Sequence, residues 1–436
     1  MKIERLAIQS AASATIIPPD YTAVQPIRIR EGNASITWDP EKCLVCGACE
    51  RACRHQGIGA FTENGRGTKI AKMSFHAENC VGCGQCTKAC KTGALTETKE
   101  VNQVMEMLGS GKFHSVVQIA PALRVGIAKE FGIDDQVIDG VTRPAAEIAA
   151  QKLYSAFRVM GFDGVLDTNF AADVTIIEEG GELLNRLLND GVTPMFTSCC
   201  PAWVKLVKKD FPDLIPNLST CMSPQQMEGA LIKTYYAGEK GIKPEDMRVV
   251  SFMPCTAKKS EAKIPELNAA SRFNQAETDT PDVDFVLTAR ELKEMLEAKG
   301  IDLKKMPLGK LDSMLGEYTG SAAIFGRTGG VMRAALRYAY YKLTGERLMD
   351  MDLDPLPGHE AVKRGTVKIG DKEVKVMVVS GGENCRQIAQ EIQDGKHSDV
   401  HFIEFMDCPD GCVNGGGQFR QKNLKKNCCR ISRNVG

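Results

Sequence analysis

The stretch TPMFTSCCPAWVKLVKK, Thr193–Lys209, contains the local pattern that decides the fold. Its apolar run at Thr193–Ser198 predicts a strand, and the segment from Pro201 onward predicts an amphipathic helix. Two adjacent cysteines, Cys199 and Cys200, stand at the junction. A disulfide between sequence neighbours is strained, and neighbouring side chains of an extended chain point apart, so the two thiols are expected to have separate roles.

The same order of strand and then helix recurs from residue 99 to residue 418. Further apolar runs predict strands at Ser115–Ala120, Arg248–Met253, Asp284–Thr288, Val374–Ser380 and Val400–Met406. Helix starts are indicated by a capping box at Thr288–Glu291 and by an N-cap at Ser223. Helix ends are predicted near Gly191 and Gly300. The pattern favours a mixed α/β fold, in which mostly parallel sheets are flanked by helices.

The charge balance narrows the possible partners. The chain of 436 residues has 55 basic and 55 acidic side chains and therefore no net charge at pH 7. This balance does not indicate binding to nucleic acid or to an anionic membrane surface. No apolar run approaches the roughly 18 residues of a membrane span. The N-terminal residues lack the apolar core of an export signal, so a cytoplasmic location is predicted.

The cysteines indicate iron–sulfur chemistry. There are 17 in all, and eight form two runs of identical spacing, C-x2-C-x2-C-x3-C, in KCLVCGACERAC and NCVGCGQCTKAC. Each run offers three thiolates to one cubane, and in two-cluster ferredoxins the fourth cysteine of a run ligates the other cluster. The expected ligand sets of two [4Fe–4S] clusters are Cys43, Cys46, Cys49 and Cys90, and Cys53, Cys80, Cys83 and Cys86. Zinc is the alternative, but zinc knuckles use pairs of ligands rather than triplets with a trailing fourth.

A second group of thiols follows predicted strand ends. Its members are Cys200, Cys255, Cys408 and Cys412. Cys200 is expected near a helix N-cap, where free N–H groups and the helix dipole favour an anionic cluster. Gly411 and Gly415–Gly417 leave room for a bulky group beside the backbone. Four thiolates at one site predict a third cubane.

Three segments that contain these thiols, TSCCPAW, MPCTAKKSE and EFMDCPDGCVNGGGQ, resemble in order the signature segments of [FeFe]-hydrogenases. The resemblance extends from the cysteine repeat to Gln418 and implies a two-lobed H-cluster domain. It implies that the four thiols hold the cubane of the H-cluster and that Cys412 bridges to a diiron subcluster with CO, cyanide and azadithiolate ligands. It also implies that the subcluster is lined by Lys258, Pro121, Gln225, Met253 and Met406.

The resemblance gives the doubled cysteine its explanation. Cys200 corresponds to the ligand, and Cys199 corresponds to the thiol that passes protons to and from the azadithiolate amine. The proton path of the family is expected to continue through Glu179, Glu182, Ser219 and Glu261. Taken singly, these residues have simpler interpretations, as solvated helix charges, a turn residue and a small buried thiol. Cys221 and Cys385 are interpreted as buried structural thiols.

The predicted organisation has four parts. They are an N-terminal extension (1–36), a ferredoxin-like domain with two [4Fe–4S] clusters (37–98), an H-cluster domain (99–418) and a short basic tail (419–436). An edge strand is predicted near Val24–Arg30. The sequence departs from the family pattern at Phe419, where Pro is usual, at Asp410 and Ala202, where Gly is common, and at Ala122. The tail is also shorter than the usual C-terminal wrap.

By this resemblance the chain is expected to catalyse the reversible reaction H2 = 2 H+ + 2 e−. Electrons would pass through the two ferredoxin-like clusters to a ferredoxin, a cytochrome or an iron–sulfur subunit. A hetero-oligomer, such as a complex with formate dehydrogenase, anaerobic function and dedicated maturation proteins are further expectations. The alternatives are a hydrogen sensor and a non-catalytic iron–sulfur assembly protein. Both are disfavoured because Cys199 and all three segments are present.

Overall fold

The structure is a computed structural model that describes residues 34–64, 72–275, 280–349, 351–370 and 372–420. The strand predicted at Val24–Arg30 and the tail cysteines Cys428 and Cys429 lie outside these residues.

The cysteine repeat folds as a small lobe, defined here as residues 34–97. Its elements are β1 (Ile36–Trp38), α1 (Ala48–Arg54), β2 (Phe61–Asn64), β3 (Lys72–Phe75), α2 (Gln85–Ala89) and β4 (Leu95–Glu97). Strand β1 pairs antiparallel with β4, and β2 pairs antiparallel with β3. Gly47 and Gly84 precede the two helices with φ of 69° and 71°, a left-handed conformation that glycine adopts without a steric penalty.

The rest of the described chain forms a larger α/β lobe. Its first elements are α3 (Val101–Ser110), β5 (His114–Ile119), α4 (Leu123–Glu130), β6 (Gln136–Ile138), β7 (Val141–Arg143), α5 (Ala145–Met160), β8 (Gly164–Asp167), α6 (Asn169–Leu188), β9 (Met195–Phe196), α7 (Pro201–Asp210), α8 (Pro224–Leu231), α9 (Ala237–Lys240) and β10 (Met247–Met253). They are followed by α10 (Ala257–Glu261), α11 (Ala269–Asn274), β11 (Phe285–Thr288), α12 (Ala289–Ala298), α13 (Gly320–Ala323), α14 (Gly330–Thr344), β12 (Asp354–Leu356), β13 (His359–Ile369), β14 (Lys372–Ser380), α15 (Gly382–Gln393) and β15 (Phe402–Met406).

The first sheet has the strand order β11-β10-β5-β8, and all its neighbours are parallel. Its central strands are buried on both faces, as parallel sheets require, and Val116, Val117, Val249 and Val250 are fully inaccessible. Helices α3, α4, α5 and α12 contribute to the core on one face. The other face packs against a π-helical segment at Ile232–Tyr236.

The second sheet has the order β12-β13-β14-β15-β9. Strands β14, β15 and β9 are parallel neighbours, whereas β12 and β13 add an antiparallel edge. Trp203 of α7 stacks on Phe405 of β15 with ring centroids 3.8 Å apart, which fixes the start of α7 above this sheet. The mixed α/β fold with helix-flanked, mostly parallel sheets is thereby confirmed. No helix of the described residues is long and apolar enough to cross a membrane.

Local predictions differ from the structure in a few places. Strands β8 and β13 were not predicted, because β8 is only four residues long and β13, HEAVKRGTVKI, is rich in charge. Ser223 is the N-cap residue of α8, as predicted, but its hydroxyl donates to Glu261 at 3.0 Å instead of forming a capping hydrogen bond. Near the end of α6 the left-handed residue is Asp190, with φ of 50°, and not Gly191. The capping box at Thr288 and the end near Gly300 are confirmed.

Candidate metal centre

The thiols predicted to form the third cluster site meet where three strands end. Strands β9 and β15 are neighbours in the second sheet, and β10 belongs to the first, so their carboxyl ends bring the two sheets together at Cys200, Cys255, Cys408 and Cys412. Cys200 is the N-cap residue of α7. Burial raises the pKa of Cys408 well above its ordinary value, and the charges of Asp407 and of the other three thiols raise it further. The four sulfurs therefore share one electrostatic environment.

The loop after Cys412 needs its glycines because backbone approaches it on several sides. A Cβ atom on Gly415 would overlap the carbonyl oxygen of Pro254, and one on Gly417 would lie 2.9 Å from the amide nitrogen of Cys255. Gly411 has φ of 92°, and a Cβ there would lie 2.7 Å from the amide nitrogen of Thr328. Cys408–Gly411 forms a reverse turn rather than a helical turn, and a 3₁₀ turn follows from Cys412.

In the small lobe the thiols of the two runs influence one another. Burial raises the pKa of Cys49 to about 11, with further contributions from the charges of Cys43 and Cys90. Burial likewise raises the pKa of Cys53 to about 11, with further contributions from the charges of Cys80 and Cys49. Cys90 therefore acts on a thiol of the first run, and Cys80 acts on the fourth cysteine of that run. Among the described residues, no three His, Cys, Asp or Glu side chains are placed to bind a single metal ion. Clustered cysteine thiolates are the ligands by which iron–sulfur clusters are held.

A buried network surrounds Lys258. Its ammonium donates to the carboxylate of Glu261 at 2.9 Å and 3.0 Å and to the carbonyl oxygen of Cys199 at 3.1 Å. Gln225 donates to Glu261 at 3.1 Å and accepts from Ser251 at 2.9 Å. Although burial opposes it, the charge of Glu261 keeps the pKa of Lys258 above its ordinary value. The network fixes a permanent cation beside Cys199, where an anionic ligand would be stabilised.

Cys199 lies in a different setting from its neighbour. It packs against the apolar cluster that contains Met406, Phe325 and Ile176. Burial raises the pKa of the Cys199 thiol well above its ordinary value, and the charge of Glu179 raises it further. Cys199 is therefore a neutral thiol, which can donate its proton and then be reprotonated by a neighbouring acid. Met253 and Met406 are buried as expected, whereas Pro121 is only partly buried.

Glu179 is the next acidic group along this side of the site. It is 1% exposed, and neither carboxylate oxygen has a hydrogen-bond partner of good geometry. Burial, reinforced by the charge of Glu182, raises the pKa of Glu179 to about 8, although the nearby Ser219 offsets part of this. A carboxyl with a pKa close to neutral is suited to take up and release protons.

Glu182 links this buried carboxyl to a cluster of donors nearer the surface. Its carboxylate accepts from the hydroxyl of Ser219 at 3.0 Å and from the guanidinium of Arg186 at 2.6 Å. The thiol of Cys221 is 3.8 Å from the same carboxylate. The structure thus brings together Glu179, Glu182 and Ser219, whereas Glu261 lies in the separate network of Lys258. Arg186 was missed by the sequence analysis, although its i,i+4 spacing from Glu182 was readable.

Asp407 is another buried group that the sequence analysis missed. It is fully inaccessible, and neither carboxylate oxygen has a hydrogen-bond partner of good geometry. Burial raises the pKa of Asp407 to about 7, and the nearby thiol of Cys83, in the small lobe, offsets part of this rise. Its charge acts on Cys83 and on Cys200, so it stands between the two thiol sites. Cys385, in contrast, is fully buried within α15.

Replacing Glu179 with Gln is expected to make the free energy of unfolding less sensitive to pH. Because the pKa of this carboxyl is raised to about 8 in the folded state, the folded protein binds more protons than the unfolded chain between about pH 4.5 and 8. Wild-type stability should therefore fall as pH rises through this window. The variant should match wild type near pH 5 and exceed it by roughly 1–3 kcal/mol at pH 9.

Thermal unfolding of the two proteins at several pH values measures this difference. Glu346→Gln, at an exposed position, serves as the matched control and should follow wild type at each pH. A Glu179→Gln curve that stays parallel to wild type would show that Glu179 is charged throughout this range.

Two family models match the chain. Residues 113–416 match the iron-only hydrogenase large subunit, C-terminal domain, and residues 42–94 match the 4Fe-4S dicluster domain. The chain is 42% identical over 382 residues to the periplasmic [Fe] hydrogenase large subunit of Nitratidesulfovibrio vulgaris, covering 87% of this chain and 85% of that one.

The name of a second relative describes that protein as an enzyme subunit. The chain is 41% identical over 398 residues to the NADP-reducing hydrogenase subunit HndD of Solidesulfovibrio fructosivorans, which covers 88% of this chain but only 65% of that protein. Among solved structures, a variant of [FeFe]-hydrogenase HydA1 from Chlamydomonas reinhardtii superposes with a TM-score of 0.65 at 36% identity, over 77% of this chain and 88% of that chain.

Proposed function

The chain belongs to the iron-only hydrogenase large-subunit family and is an iron–sulfur oxidoreductase, and from this premise we propose that it interconverts H2 with protons and electrons. The observation that carries the proposal is the site at the three strand ends, where four thiols lie beside a fifth, that of Cys199, which is proposed not to be a ligand. A family match over residues 113–416 supports it. The cofactors are the H-cluster and two [4Fe–4S] clusters.

Cys200, Cys255, Cys408 and Cys412 would hold the H-cluster, which supplies the redox-active iron at which H2 is formed or split. The residues around it perform the remaining tasks. Lys258, fixed by Glu261, offers an ammonium to an anionic ligand such as cyanide. Buried methionines exclude water from the same space.

The proton is proposed to move through Cys199, Glu179, Ser219 and Glu182. The neutral thiol of Cys199 exchanges its proton with the site on one side and with Glu179 on the other. Because Glu179 is held near neutrality, it can take this proton and release it again. Ser219 and Glu182 then share a hydrogen bond of 3.0 Å that leads toward Arg186 and the surface.

Electrons are proposed to leave through the small lobe. Its second thiol set includes Cys83, whose backbone touches the glycine loop of the catalytic site. Its first set includes Cys46, which is exposed beside Leu44, a side chain that is 76% exposed. An electron-transfer protein or subunit is proposed to dock there. A hetero-oligomeric assembly, with formate dehydrogenase as one form, remains part of this proposal.

Replacing Cys53 with Ala is expected to disturb the small-lobe clusters while sparing catalysis itself. Cys53 is 6% exposed and is one of the four thiols proposed for the second cluster. H2 evolution should persist with a small donor that reaches the catalytic site directly, but should fall strongly with a protein donor. Equal losses with both donors would contradict this division of labour.

The direct test of the function is anaerobic H2 evolution from reduced viologen after the diiron subcluster has been loaded. Rapid evolution supports the enzyme. Infrared bands of an assembled cluster without H2 evolution would instead favour a hydrogen sensor. The cytoplasmic location stays a prediction, because residues 1–33 lie outside the described ranges and one relative is named as periplasmic.

A further inference from the structure

Arg290 contacts the catalytic loop from the first turn of α12. Its guanidinium donates to the carbonyl oxygen of Gly416 at 2.9 Å and to that of Gln418 at 2.7 Å. Both carbonyls belong to the loop that begins at the proposed ligand Cys412. The Arg290 side chain is 15% exposed, so these hydrogen bonds compete with little water.

The same guanidinium also binds the small lobe. It donates to the hydroxyl of Thr87 at 2.9 Å and forms an ion pair with Glu97 at 2.6 Å. Glu97 is 3% exposed, and although burial opposes ionisation, the charge of Arg290 keeps its pKa below the ordinary value. One side chain therefore joins the two lobes through a buried, charge-assisted network.

These contacts surround the point where the small lobe touches the catalytic loop. A Cβ atom on Gly416 would overlap the carbonyl oxygen of Cys83 and would lie 2.6 Å from Cα of Gly84. The hydroxyl of Thr87, which accepts from Arg290, donates to the carbonyl oxygen of Gly84 at 2.8 Å. Arg290 thus holds the backbone on both sides of this contact.

We propose that Arg290 is the positioning residue that sets the distance between the second small-lobe cluster and the H-cluster, and so controls electron transfer between them. The inference rests on the proposed function. A guanidinium suits this role because its five N–H donors form a rigid fork, whereas lysine offers a single point charge. Electron transfer falls steeply with distance, so a small loosening of this contact slows it.

Other contacts keep the lobes together when Arg290 is absent. Thr256 donates to the carbonyl oxygen of Gly82 at 2.6 Å, and Gln85 and Lys88 each donate to that of Asn414 at 3.0 Å. Replacing Arg290 alone leaves Glu97 buried without its cation, which destabilises the protein. The double variant Arg290→Gln/Glu97→Gln removes both charges and is the second variant to test.

The experiment follows electrons from H2 into the small lobe of the protein loaded with all its clusters. H2 is added anaerobically, and freeze-quench EPR records how fast the small-lobe clusters become reduced. H2–D2O isotope exchange, which needs no electrons to leave the site, is measured on the same samples. In the variant that replaces Arg290 alone and in the double variant, reduction of the small-lobe clusters should slow about tenfold or more. H2–D2O exchange should stay within about twofold of the wild-type rate. In Arg290→Lys the rate of reduction should lie between that of wild type and those of these two variants.

Lys293→Ala on the same helix is the matched control, because Lys293 pairs with Glu130 and not with the small lobe. It should leave both rates unchanged. Backbone hydrogen exchange should also rise at residues 84–87 and 414–418 in the Arg290 variants only. If H2–D2O isotope exchange and electron transfer fall together in the Arg290 variants, or if neither rate changes, the positioning role is wrong. Absence of isotope exchange in wild type would instead overturn the proposed function.

Discussion

Replacing Cys199 with Ala is expected to lower H2 turnover by about 10²–10⁴-fold, the range that a positioned acid or base contributes. The thiol packs against an apolar cluster, and burial keeps it neutral by raising its pKa well above the ordinary value. Among the described residues, Cys199 is the one cysteine next in sequence to a proposed H-cluster ligand that is not itself proposed as a ligand. The site would therefore lose the proposed relay through which a proton passes between it and Glu179.

The measurement is H2 evolution together with infrared spectra of the loaded variant. The CO and cyanide bands should remain near their wild-type positions, because Cys200 and the other three ligands are unchanged. Cys385→Ala, at a buried thiol in α15, is the matched control and should retain activity. Loss of the infrared bands in Cys199→Ala would show that this thiol supports the cluster instead of passing protons.

Replacing Gly416 with Ala is expected to be the most damaging single-methyl change in the catalytic loop. The added Cβ would overlap the carbonyl oxygen of Cys83, and neither backbone can move freely because Cys83 belongs to a proposed cluster ligand set. Overpacking of this kind costs about 1–3 kcal/mol or more. It should also separate the two lobes and slow electron transfer between them.

Thermal unfolding and H2-driven reduction of the small-lobe clusters measure the two effects. Gly109→Ala is the matched control, because a Cβ at this position in α3 has nothing within 4 Å. That substitution should be neutral or stabilise slightly, since alanine favours a helix over glycine. If the Gly416→Ala variant is as stable as wild type and transfers electrons at the same rate, the lobes do not meet at this loop.

The segments that could be predicted from the sequence share strong local signals. Strand β10 is a continuous apolar run, and the capping box at Thr288 begins α12 as expected. Strand β9 was predicted as six residues, Thr193–Ser198. Only Met195 and Phe196 pair in the sheet, with Phe402 and Ile403 of β15. The antiparallel strand β13, which lies between β12 and β14, carries charges along its exposed face, so its periodicity did not stand out.

The ligand thiols could be placed at strand ends from their spacing alone, whereas their surroundings could not. Arg186 reaches Glu182 by helical geometry, but Arg290 joins Thr87 and Glu97 across about 200 residues of sequence. The environment of Asp407 depends on how the small lobe packs on the larger one. Such contacts arise from tertiary packing, which no local pattern encodes.

The central claim is that H2 reacts at the site where the three strand ends meet. The most direct test is H2–D2O isotope exchange by the anaerobic, cluster-loaded chain, followed by mass spectrometry without any electron donor or acceptor. The account predicts rapid formation of HD and D2 in wild type and almost none in Cys199→Ala. An infrared spectrum of a fully assembled cluster together with no exchange in wild type would contradict it.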